Sequence, residues 1–135
     1  MEYQEFTRMT AQADEQIAAS RFQEAVEVLY KLILGDISDV DRAVLCIRMA
    51  FVHDRMGKTD EAIAWYDKGI GYEQGCQNYA VFENKAQYLA QIGHTKDSVA
   101  MYESLLGMPS VSEAEKQRIR KVIQSVLSQS MREWQ

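Results

Sequence analysis

Apolar residues recur along this chain in steps of three and four, the period of a helix packed on one face. The steps run through Phe6, Met9, Ala13 and Ile17, then Ala25, Leu29, Leu32 and Ile33. They resume at Cys46, Met49, Ala50 and His53, then Ala62, Tyr66 and Ile70. Phe82, Ala86 and Leu89 follow, and after them Val99, Tyr102, Leu105 and Leu106. Within each pair of runs lies a short polar turn that opens on a small residue: Ser20, Gly57 or Gly93. The pattern predicts helix–turn–helix pairs and no strand. Gly57 and Gly93 suit the positive φ of a tight turn. Asp60 is the expected N-cap of its helix, and Gly35, Gly71 and Gly107 are expected to end the second helix of each pair.

The pairs repeat. Ala13, Ala50 and Ala86 are spaced by 37 and 36 residues, as are Ala25, Ala62 and Ser98; Gly35, Gly71 and Gly107 are spaced by 36 and 36. Small residues at the same place in each pair let two helices approach closely. After the third pair, Ser112-Glu113-Ala114-Glu115 has the form of a capping box, with Ser112 as N-cap and Glu115 reaching back. Ile119, Val122, Ile123, Val126, Leu127, Met131 and Trp134 then make one apolar stripe. A stack of repeats leaves the apolar side of its last member uncovered, so this segment is expected to be a capping helix. The expected fold is all-α, with about seven antiparallel helices.

Spacing and landmark residues together resemble the tetratricopeptide repeat. The second pair reads Cys46-x₂-Met49-Ala50-x₂-His53, then Ala62-x₃-Tyr66-x₂-Gly69. The third reads Phe82-x₂-Lys85-Ala86-x₂-Leu89, then Ser98-x₃-Tyr102-x₂-Leu105, with Pro109 beyond. The first is the most degenerate, Met9-x₂-Gln12-Ala13-x₂-Gln16, then Ala25-x₃-Leu29-x₂-Leu32. The family's leading Trp is absent, and the period exceeds its ~34 residues. The additional residues are expected in the loops Gly35–Asp39 and Gly71–Asn78. The resemblance implies a single α-α superhelix with repeats at about 6–35, 43–71 and 79–107 and a capping helix at about 112–134.

Composition narrows the classes of function. The chain has 135 residues, 47% hydrophobic and 26% charged, with one proline, which suits a folded domain and not a linker-rich one. A net charge of −5 argues against nucleic acid and anionic membranes as partners. No apolar run reaches the ~18 residues of a membrane span, and the acidic start, Met1-Glu2-Tyr3-Gln4-Glu5, does not have the form of a signal peptide. A cytoplasmic location is the expectation. Cys46 and Cys76 make no disulfide framework, and no Cys or His pair has zinc-ligand spacing. Cys46 is read as a buried thiol and His53 as a packing residue. Gly57-Lys58-Thr59 matches the end of a phosphate-binding loop, but Val52 stands where that loop needs its first glycine. No cofactor or metal site and no enzyme activity is expected.

What the chemistry leaves is binding. In the tetratricopeptide family the first helix of each repeat lines a concave groove for peptides. The resemblance carries that role to Thr10, Asp14, Val44, Ile47, Arg48, Phe51, Arg55, Asn84 and Gln87. The subgroup that clamps chaperone-tail carboxylates places Lys and Asn where this chain has Thr10 and Asp14, Asn where it has Arg48, and Lys and Arg where it has Ala80 and Asn84; Arg48 is the single cation among them here and Asp14 would repel the ligand, so that ligand is disfavoured. Val44, Ile47 and Phe51 share one helical face, and Arg48 and Arg55 flank it as candidate anchors for a ligand carboxylate. Trp65 is a candidate dimer contact. The expected function is a protein-interaction module. Two alternatives are a small acidic chaperone for a secreted or aggregation-prone client, and a self-associating structural protein.

Overall fold

The computed structural model describes residues 1–133. Its elements are α1 (Tyr3–Ala18), α2 (Phe22–Leu34), α3 (Asp39–Arg55), α4 (Thr59–Gln74), α5 (Ala80–Gln91), α6 (Thr95–Leu106) and α7 (Glu113–Glu133). There is no strand among the described residues. Packing divides the chain into two compact units, Met1–Cys76 with α1–α4, and a second beginning at Gln77 with α5–α7. Trp134, the last member of the expected apolar stripe, lies outside the described residues.

The three turns are copies of one another at the level of the backbone. Ser20, Gly57 and Gly93 all have left-handed φ, at 59°, 77° and 87°. In each turn the next residue's N–H reaches back five positions at 2.8 Å: Arg21 to the Gln16 carbonyl, Lys58 to His53, His94 to Leu89. That bond, with the left-handed residue before it, is the Schellman closure of a helix C-terminus. The residues that open the second helices, Arg21, Lys58 and His94, share one conformation, with φ between −101° and −85° and ψ between 60° and 71°. Ser20 holds the left-handed shape without glycine's freedom, at an expected cost of roughly 1–2 kcal/mol.

The small residues sit where helices cross. Ala13, Ala25, Ala50, Ala62, Ala86 and Ser98 are all fully buried. The Ser98 hydroxyl also donates to the Ala86 carbonyl at 2.7 Å, tying α6 to α5. The first unit's core is built from Leu29, Leu32, Leu45, Cys46, Met49 and Val52, with Phe6, Met9, Trp65 and Tyr72 packed at its edge. In the second unit the core is Ala86, Tyr102, Leu105, Val111 and Ile119, flanked by Phe82, Val122, Ile123 and Val126. Ile119, the one fully buried residue of α7, anchors that helix to its unit.

Three local expectations are corrected. Gly71 does not end α4; the helix runs on to Gln74 and Gly75 follows. Glu73 is buried and Tyr72 packs on the first unit's core, so tertiary burial outweighs the ~1 kcal/mol helix penalty of a glycine. The connection is therefore shorter than Gly71–Asn78. The connection before α3, Gly35–Ser38, lies within its expected bounds, and α3 begins at Asp39. Asp60 is not a cap: α4 starts at Thr59 after Lys58, with no capping side chain, and Asp60 lies in the first turn, where its charge favours the helix dipole. The capping box of α7 is half formed. The Glu115 N–H donates to the Ser112 hydroxyl at 3.2 Å, but the Glu115 carboxylate turns to Arg118 and Tyr79 instead.

Candidate interaction surfaces

Helix α3 is apolar on nearly every side. Its inward faces are buried through Ala43, Leu45, Cys46, Met49, Ala50, Val52 and His53. The remaining face is not covered. Val40, Val44 and Phe51 keep 43%, 45% and 49% of their surface in solvent, and Ile47 between them is half-buried. The expected face of Val44, Ile47 and Phe51 is thus an open strip, lengthened by one residue at its start.

The cations beside the strip are engaged within their own unit. Arg48 Nε lies 3.4 Å from Asp14 Oδ1 on α1, so Arg48 already faces a carboxylate and Asp14 is partly neutralised. The Arg55 guanidinium lies 6.0 Å from the centre of the Phe22 ring at the start of α2, and its side chain is exposed. The Thr10 hydroxyl is spent on the Phe6 carbonyl at 2.7 Å. Of these groups Arg55 is the one most open to a ligand carboxylate.

Asn84 and Gln87 belong to the second unit. The Asn84 amide donates to the Ala80 carbonyl of its own helix at 2.8 Å. Gln87 lines a cleft of about 570 Å³ bounded by α5, α7 and the start of α6. Gln91, Ser125 and Gln129 share its walls with Tyr102, Val122 and Val126. Arg118 spans its edge: its guanidinium reaches the Glu83 carboxylate on α5 at 2.7 and 2.9 Å and the Glu115 carboxylate at 2.6 Å. The Tyr79 hydroxyl adds a contact to Glu115 at 3.4 Å. Hydrogen bonding from Arg118 holds the Glu115 carboxyl below its ordinary range, and the two carboxylates hold the guanidinium charged. Arg118 is a clamp between α5 and α7, not a free cation.

Trp65 is half-buried among side chains of its own unit. The Tyr30 ring meets it edge-on at 6.0 Å, the His53 ring lies tilted at 6.2 Å, and the Lys68 ammonium sits 4.9 Å over it. His53 is buried, and its Nδ1 lies 2.7 Å from the Met49 carbonyl one turn back. Burial pushes the Cys46 thiol up to about 11, so at neutral pH it is the neutral, unreactive form. Cys76 is exposed.

Two features escape the sequence pattern. Arg42 clamps the end of α2, donating to the Ile33 carbonyl at 3.0 Å and the Gly35 carbonyl at 2.8 Å, which satisfies acceptors the helix leaves open. The Arg118–Glu83 contact joins residues 35 apart; only its partner Glu115, three residues away on one helix, is visible as a spacing. A scan of the chain against protein-family models finds no match, and comparison with curated proteins finds none either.

Proposed function

We propose that this chain is a tetratricopeptide-like α-solenoid acting as a non-enzymatic protein-interaction module, and that the α3 strip is a docking surface for an apolar protein segment. Three turns of one geometry, at the spacing of the buried alanines, support the family assignment. The observation that carries the function is Phe51. It stands half exposed at the C-terminal end of the α3 strip, after Val44 and Ile47 and before Arg55. Leaving half a phenylalanine in water forgoes roughly 1 kcal/mol of burial, and exposed apolar side chains that adjoin one another are the kind of surface at which proteins meet partners. Aromatic residues are also enriched among the energetic anchors of binding.

Selection of binders from a displayed library of amphipathic peptides tests this. Enriched peptides should carry apolar anchors at helical or extended spacing, and Phe51→Asp should weaken their binding at least tenfold while helicity by circular dichroism stays unchanged. Failure to enrich any peptide, or equal binding by the variant, overturns the assignment of the strip.

A further inference from the structure

Helix α7 carries a second uncovered strip. Leu127 and Met131 are 45% and 67% exposed, and Arg120 shares their face two turns earlier, exposed and without an ion-pair partner among the described residues. The face that fastens α7 to its unit is a different one, through Ile119, Val122 and Val126. A helix that served only as a cap would have polar residues here.

We propose that the occupant of the α3 strip is the outer face of α7 from a second copy of this chain; this rests on the docking assignment above. The two strips match in length, and the elements that carry them are opposite in net charge. Val40 to Phe51 and Arg120 to Met131 each cover about 16 Å of helix. The unit that carries α3 has fourteen acidic residues against eight basic ones, whereas α7 has five basic against three acidic. The basic helix is therefore drawn to the acidic unit, and like-with-like pairing of two α3 strips brings two acidic units together. Because the two surfaces differ, the contact is heterologous, one face giving and the other receiving.

Sedimentation velocity on the full-length chain, alone and in mixtures, tests the assignment. The parent protein should sediment above the monomer mass at about 100 μM, well above a micromolar dissociation constant, and should shift toward monomer as salt rises. Phe51→Asp and Leu127→Asp should each weaken self-association at least tenfold; both positions are exposed, and Val44→Asp and Met131→Asp serve as second variants at each strip. The decisive sample is the equimolar mixture of the two variants. Each then lacks a different strip, so one intact junction forms, and a heterodimer should appear where neither variant alone gives one. A monomeric parent protein at that concentration, a mixture that remains monomeric, or a Leu127→Asp protein that associates like the parent overturns the proposal. A monomeric parent whose α3 strip still binds displayed peptides leaves the docking assignment standing and removes only the second copy as its occupant.

Discussion

The two units hold their helices by different means. In the first, four helices share a broad apolar core, and polar ties lie at its margins, among them Arg42 at the end of α2, the Met1 ammonium on the Asp36 carbonyl and the 3.4 Å Arg48–Asp14 contact. In the second, three helices share a smaller core, and specific polar ties fix their places: Ser98 to the Ala86 carbonyl, and Arg118 to Glu83 and Glu115. A small unit buries less apolar surface in proportion to its size, so directional contacts matter more to it. A larger core tolerates imperfections. The first unit buries Gln16, whose Oε1 has no hydrogen-bond partner, and leaves the α3 strip in water.

The largest effects should come from breaking each core separately. Met49→Ala and Ile119→Ala each remove a fully buried side chain and should cost about 2–5 kcal/mol. Hydrogen exchange read by mass spectrometry should show Met49→Ala loosening α1–α4 and Ile119→Ala loosening α5–α7. Uniform loosening of all seven helices by either change would abolish the distinction between the units.

A smaller effect, of the opposite sign, is expected at Gln16. It occupies the same place in the first turn that His53 and Leu89 occupy in the second and third, each lending its carbonyl to the Schellman closure. His53 meets the Met49 carbonyl and Leu89 has nothing to satisfy, whereas a buried unpaired amide oxygen costs about 1–3 kcal/mol. Gln16→Leu should therefore raise the urea midpoint by an amount worth about 1 kcal/mol or more. A lower midpoint would mean that the first unit depends on that amide.

The smallest effect sharpens the role of polar ties in the second unit. Arg118 is exposed over nearly half of its surface, so Arg118→Ala should cost at most ~1 kcal/mol at neutral pH. Its signature is the pH profile. Glu115 has a folded-state value below its ordinary 4.5 because Arg118 bonds its charged form. That stabilisation is complete above the ordinary value and is lost as pH falls through the lower folded value. The stability gap between parent and Arg118→Ala should accordingly narrow in acid. A gap unchanged between neutral and strongly acidic pH would show that Arg118 acts through its packing rather than its charge.

Much of this architecture is written locally. Seven helices follow from steps of three and four, and the three turns from Ser20, Gly57 and Gly93, because helix periodicity and a left-handed closure are decided within a few residues. The buried alanines follow from their recurrence. Signals that local rules read too strictly were overruled from outside the segment. Gly71 looks like a helix end, yet the packing of Tyr72 on the core and the burial of Glu73 carry α4 past it. Glu115 looks like half of a capping box, yet Arg118 offers it a charged partner.

The candidate surface divides in the same way. That Val44, Ile47 and Phe51 share a face is a property of the sequence alone, since 3.6 residues per turn dictates it. Whether that face meets water depends on what packs against α3, and neighbours distant in sequence decide it. The state of the charge beside it is decided in the same way, since Arg48 is held by Asp14 from α1; within the second unit Arg118 is likewise held by Glu83 from α5, and no spacing rule spans either separation. The sequence by itself determined the helices, their turns and the repeat that orders them, because those are set by short-range backbone and side-chain geometry. Only the tertiary structure decided which apolar strips on α3 and α7 stay open and which arginines are already paired, because exposure and ion pairing depend on elements brought together by folding.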